Sequence, residues 1–177
     1  EFAKHMGPVK RLKSCGEYNS NLVVSGSYDG TVRLWDLRTK SVHSVIQAGA
    51  KVYDLDTCKN GLSFITSEKD LMVYRYTDFS KPYFQKRIDS GSFPLRCSSM
   101  TTFNSRKEGG FLIAIGTLGG RVSIIAQSNN AKDFNFKVSR MSQANLANSQ
   151  YIFPVHELEF HPRSFVLGLA GGDGCIS

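Results

Sequence analysis

An all-β fold built from a repeated four-strand unit is what this sequence predicts, on three observations. The apolar segments are short, rich in Val, Ile, Leu, Phe and Tyr, and separated by clusters of Gly, Asn, Asp and Ser, which is the punctuation of strands and turns. No long stretch carries the apolar period of an amphipathic helix. A strand–turn–strand unit recurs, first over Asn21 to Asp36 and again near 66–74, 116–125 and 171–177.

The first unit reads as two strands joined through Tyr28-Asp29-Gly30, a hairpin turn in which Gly takes positive φ. In its second strand Val32 and Leu34 face one way and Arg33 and Trp35 the other. Gly116 to Ile125 matches Gly26 to Trp35, and Gly171 to Ser177 begins a further copy. Thr66 to Tyr74 reads as a version one residue shorter at the turn, with Tyr74 in the place of Trp35. Trp35, Tyr74 and Ile125 stand 39 and then 51 residues apart. The extra length falls in a polar loop at 104–110, and a similar polar stretch at 139–150 precedes the last copy. One more strand precedes each copy (8–13, 51–55, 95–100, 154–160), and a fourth follows each complete one (42–46, 83–88, 134–138).

Four strands per unit of about 40 residues, the first unit ending in Trp-Asp, describe the blade of a β-propeller. Blades are expected at approximately 1–50, 51–92, 93–140 and 151–177, the last incomplete. A ring of seven would need roughly 280 residues, so 177 residues supply about four blades. The expectation is an incomplete ring with open strand edges, its remaining blades supplied by a missing part of the same chain.

Composition narrows the function. The 22 Lys and Arg against 15 Asp and Glu give +7, with 41% hydrophobic and 21% charged residues, a basic globular chain and not a disordered tail. The longest apolar run, Phe111 to Ile115, is far short of the roughly 20 residues of a membrane span, and Glu1 to His5 shows no signal-peptide pattern. Cys15, Cys58, Cys97 and Cys175 form no CxxC pair and read as reduced thiols of an intracellular protein. His156 and His161 lack the spacing of a zinc-protease helix, and on a strand His156 would sit beside Leu158 and Phe160. The glycine runs at 116–120 and 168–174 lack phosphate-loop spacing. Asp54, Asp56, Asp70 and Asp89 are scattered, with no nucleophile elbow. The chain is therefore expected to be non-enzymatic, with no metal and no cofactor.

At Trp35-Asp36 the chain resembles the WD-repeat family, over nearly its whole length. The resemblance implies that His5, Ser25, Asp29 and Trp35 form a hydrogen-bond network tying one blade's loops together, a structural task. Asp173 keeps the turn carboxylate in the last copy, but Gly119 replaces it in the third, so the other blades are expected to be held mainly by packing. Further landmarks are Phe93 to Cys97, Gly119 to Val122, Ala131 to Arg140, Tyr151 to Val155 and Phe160-His161-Pro162. In order and spacing they are similar to the nuclear-pore mRNA-export WD-repeat factors and to the related mitotic-checkpoint WD-repeat proteins. Ala131-Lys132-Asp133 and His161-Pro162 favour the export branch.

That resemblance implies docking of a short GLEBS motif across the turn end of the propeller. Arg140 closes Phe136-Lys137-Val138-Ser139-Arg140 where the family has Phe-Lys-Cys-His-Arg, and would pair with an acidic residue of the motif; Val138 and Ser139 depart from the pattern. A guanidinium suits the task because it offers a carboxylate a planar fork of donors. By itself Arg140 is one of 22 cations, and only the resemblance singles it out. Phe136, Lys137, Tyr28 and the loop at 140–150 complete the implied partner site. The implied partner is a GLEBS-bearing nucleoporin, or checkpoint kinases in the alternative branch, and the implied location is the nucleus and nuclear pore, with cytoplasmic shuttling. A reading of a different class is single-stranded RNA or ribonucleoprotein binding, through Lys10, Arg11 and Lys13 and through Lys86 and Arg87 beside Tyr83 and Phe84. Cations interleaved with aromatics can hold phosphates and stack bases, although an exposed outer strand gives the same alternation.

Overall fold

Alternation and turn chemistry produce antiparallel sheets throughout the computed structural model, which describes residues 4–103, 110–127, 132–142, 149–162 and 164–177. Two units divide at Asp89/Ser90. The first unit holds a sheet of β1 (Val9–Ser14), β2 (Leu22–Ser27), β3 (Thr31–Asp36) and β4 (Ser41–Gln47), and a second of β5 (Val52–Cys58), β6 (Gly61–Thr66), β7 (Asp70–Arg75) and β8 (Phe84–Arg87), each in chain order. Cross-strand partners Val24 and Leu34, and Val32 and Ile46, point one face of the first sheet at the second. There they meet Val52, Leu55, Leu62 and Phe64 in one buried cluster. Full burial of each such side chain contributes about 1.5–3 kcal/mol, so this apolar seam is the main stabilising element of the unit.

Two ion pairs cross the same seam. Arg11 Nε lies 2.7 Å from Asp54 Oδ1 and Lys13 Nζ 3.1 Å from Asp56 Oδ1, joining β1 to β5. Both carboxylates are buried, at 5% and 6% side-chain exposure, where an unpaired charge would be costly.

The second unit holds a sheet of β9 (Leu95–Phe103), β10 (Gly110–Thr117), β11 (Arg121–Gln127) and β12 (Phe134–Lys137), then a ribbon of β13 (Arg140–Ser142) and β14 (Gln150–Ile152), then β15 (Val155–Phe160) paired with β16 (Leu167–Gly171). Cys97, Ala114, Val122 and Ile124 pack on Val155, Leu158, Phe160 and Leu169. Gly116 permits this approach, since a Cβ there would sit 2.6 Å from Cys97 Sγ and 2.7 Å from Val155. Leu169 and Ser177 exchange backbone hydrogen bonds of 2.8 and 3.0 Å, so a third strand begins beside β16.

Several sequence expectations need correction. The stretch 139–150 is not all loop: its ends form the β13–β14 ribbon, while residues 143–148 of the expected partner loop lie outside the described residues, as do 104–109 and Ala131. The second turn is not a residue short. Lys69 N donates to Thr66 O as Gly30 N does to Ser27 O, and Lys69 takes the glycine's left-handed place with φ 67°. The first strand of each repeat carries a bulge, at Val9/Arg11, Val52/Asp54, Leu95/Cys97 and Val155/Glu157. The last of these turns His156 out to solvent and gives the buried place to Val155, so His156 does not share the face of Leu158 and Phe160.

Candidate functional site

Side-chain chemistry is densest at the first turn. A carboxylate only accepts, so His5 Nδ1 donates to Asp29 Oδ2 at 2.9 Å. An indole N–H only donates, so Trp35 Nε1 gives its proton to Ser25 Oγ at 2.7 Å. Ser25 must then direct its own hydrogen to His5 Nε2, also at 2.7 Å. Donation runs in one direction, from Trp35 through Ser25 and His5 to Asp29. Asp29 also accepts from Met6 N at 2.9 Å, Thr31 N at 2.9 Å and Thr31 Oγ1 at 2.7 Å. Burial pushes the Asp29 carboxyl up, but the bonds from Thr31, His5 and Met6 outweigh it and hold the group well below the usual carboxylate range.

Ser25, His5 and Asp29 fall in the sequence of contacts of a hydrolytic triad. Ser25, however, is 3% exposed and its oxygen already receives the indole proton. The array acts as a clamp that fastens residues 5–7 over the turn. Thr31, absent from the expected network, belongs to it; Asp29-Gly30-Thr31 was its signal, since an Asp side chain closes on the N–H two residues ahead.

The four turns solve one problem in two ways. The N–H of Thr31 and that of Cys175 are accepted by Asp29 and Asp173, at 2.9 and 3.1 Å. The corresponding N–H groups of Asp70 and Arg121 are accepted by Thr66 Oγ1 and Thr117 Oγ1, at 3.3 and 3.2 Å. Where the turn Asp is missing, a threonine hydroxyl four residues back does its job, so the second and third sheets are not held by packing alone.

In the second unit the third turn is bordered by Phe93 and Arg140. Gly119 stands where Asp29 stands in the first, and a Cβ there would collide with the Phe93 ring. Arg140 Nη2 donates to Gly119 O at 3.2 Å, while its Nε is buried without a hydrogen-bond partner. Gly120 turns the chain with φ 58°, and a Cβ on it would meet Val138 O at 2.8 Å and Phe153 O at 2.9 Å. Leu118 N is held by Pro94 O at 3.1 Å, as Tyr28 N is held by Pro8 O at 2.9 Å.

Residues 2–36, which contain the whole of the clamp and its turn, match the model of the WD domain, G-beta repeat. The chain carries a WD40 repeat. Relatives of the WD40 chain include an mRNA export factor of Danio rerio, 32% identical over all of this chain and 48% of the relative. The spindle assembly checkpoint protein bub3 of Schizosaccharomyces pombe is 30% identical over 89% of this chain and 47% of its own length. The WD40 repeat protein poxJ of Penicillium oxalicum is 29% identical over all of this chain and 50% of the relative. The chain spans about half the length of the curated relatives it matches.

The remaining candidate residues of the WD40 chain are distributed as follows. Tyr28 lies in the first unit, edge to face with Tyr53 at 6.0 Å and under Lys51 Nζ at 6.0 Å. Phe136 and Lys137 lie in the second unit on β12 but on opposite faces: Phe136 pairs with buried Val122 and Lys137 with Arg121. Phe136 therefore continues the apolar face of its sheet, stacked on Phe134 at 6.1 Å. Of the basic residues, Lys10 is exposed, whereas Arg11 and Lys13 face Asp54 and Asp56. Lys86 and Arg87 point to opposite sides of β8, opposite Leu71 and Asp70 respectively, so they make no continuous patch. The thiols of Cys15, Cys58 and Cys97 are buried, and burial pushes that of Cys58 up to about 11; Cys175 is exposed. Among the described residues no group of His, Cys, Asp and Glu is placed to hold a metal ion.

Proposed function

We propose that this WD40 chain belongs to a non-enzymatic scaffold that docks a GLEBS-type segment of a nucleoporin and supports export of messenger ribonucleoprotein from the nucleus, acting at the nuclear pore and shuttling to the cytoplasm. The observation that carries the proposal is Arg140: its guanidinium is anchored by Gly119 O at the turn end of the third sheet and has a buried Nε with no partner. A pre-positioned guanidinium spends little further entropy in gripping a carboxylate. Relatives named as mRNA export factors support the export branch. A checkpoint role is the second reading, favoured by the match to bub3. The RNA reading draws less support, because Arg11 and Lys13 already face carboxylates.

The test is a pull-down from nuclear extract with the wild-type protein and its Arg140→Glu variant, with bound proteins identified by mass spectrometry. Recovery of a GLEBS-bearing nucleoporin that is lost with the variant supports the proposal. Recovery of checkpoint kinases instead moves the protein to mitosis. Equal binding by both forms removes Arg140 from the site. Binding of RNA with a steep salt dependence that survives the substitution supports the RNA reading.

A further inference from the structure

The third turn differs from the other three in what it shows to solvent. Phe93 and Leu118 are 40% and 38% exposed, and the backbone of each is hydrogen-bonded. Phe93 N donates to Ser90 O at 3.3 Å, Ser90 Oγ returns a bond to Phe93 O at 2.5 Å, and Leu118 N donates to Pro94 O at 3.1 Å. The corresponding pairs at the other turns are Gly7 with Tyr28, Ala50 with Ser67 and Phe153 with Gly172. Only the third turn carries two large apolar side chains. Gly119 makes this possible, since any side chain there would displace the Phe93 ring.

Three arginines stand near this apolar pair along the backbone. Arg140 is bonded to Gly119 O, Arg121 follows Gly120 directly and is exposed, and Arg96 is exposed two residues after Pro94. We infer that Phe93 and Leu118 form an apolar step beside Arg140, which reads an apolar side chain neighbouring the acidic residue of an extended peptide segment. The three arginines select a segment of negative charge. The step adds a second, uncharged anchor of the kind that concentrates binding energy when water is excluded around it. This inference rests on the docking role of Arg140 proposed above, and it adds the neighbouring-residue requirement and the two side chains that impose it.

The experiment measures binding of a fluorescent GLEBS peptide to the full 177-residue chain by anisotropy, with each peptide position changed in turn to Ala and each Glu to Gln. Phe93→Ala is expected to weaken binding by about tenfold, and to have no further effect on the peptide whose apolar anchor is already Ala. Leu118→Ser should act on the same peptide position. Gly119→Ala pushes the ring aside from an unstrained backbone position, and should weaken binding with an unchanged circular dichroism spectrum. Arg140→Ala should instead couple to a Glu→Gln position. If Arg140→Ala weakens binding while Phe93, Leu118 and Gly119 substitutions leave it unchanged, the apolar step is overturned and the docking role stands. If the peptide does not bind, or Arg140→Ala is silent, both fall together.

Discussion

The first turn is closed by polar side chains and the third by a glycine with an aromatic ring lying across it. In the first, Asp29 collects bonds from His5, Met6 and Thr31, and Trp35 feeds the chain of donors from the far side through Ser25. In the third, Thr117 takes the one N–H that most needs a partner, and Gly119 leaves its side-chain space to Phe93. Both turns leave the same backbone bonds in place, including Ala48 N to Gly30 O at 2.8 Å and Val138 N to Gly120 O at 2.9 Å. The turn geometry is thus a property of the repeat, and the side chains on it are free to specialise: one turn fastens, the other presents a surface.

If so, substitutions at the two turns should differ in what they break. The largest loss is expected from Asp29→Ala, about 3 kcal/mol, because it strips the partners from a buried His and several N–H groups at once. Urea unfolding followed by fluorescence of Trp35, the single tryptophan of the chain, measures it. Asp29→Asn sharpens the test through pH. The carboxyl has a lower pKa folded than unfolded, so its ionisation stabilises the fold fully above about pH 4, the ordinary carboxylate value, and this is lost as pH falls toward the folded pKa. The deficit of the Asn variant should accordingly be constant at neutral pH and shrink in acid.

Gly120→Ala comes next, at about 2 kcal/mol, since φ 58° and the two nearby carbonyl oxygens both oppose a Cβ. Circular-dichroism melting reads the effect. Thr117→Val keeps the shape and removes the hydroxyl, and should cost about 1 kcal/mol; no loss would mean that packing alone holds the third turn. The smallest effect has the opposite sign. Lys69 occupies a left-handed position with φ 67°, so Lys69→Gly should raise stability by about 0.5–1 kcal/mol.

The repeat was legible because its signals are local: alternation, Asp-Gly at the turn, and Trp35 at the end of a strand. The clamp was legible for the same reason, as His5, Ser25, Asp29 and Trp35 occupy fixed places within one unit. What escaped depends on neighbours that local patterns do not see. A bulge of one residue turned His156 outward, and Lys69 hid a glycine-like turn behind an ordinary side chain. Phe136 and Lys137 read as neighbours in one partner site until the strand placed them on opposite faces. Phe93 and Leu118 lie far apart in the chain and are brought to one turn by the bond from Leu118 N to Pro94 O.

Arg11 and Lys13 on β1, set against Asp54 and Asp56 on β5, have a consequence for how the chain assembles. A protein made of similar sheets offers each sheet several apolar faces of nearly equal appeal, and an apolar seam alone tolerates a neighbour that is wrong or shifted by two residues. A cation pair spaced to meet a carboxylate pair works as an address. A wrong neighbour leaves both buried carboxylates unmatched and a two-residue shift leaves one, so the second sheet recognises the first by charge spacing as well as by shape.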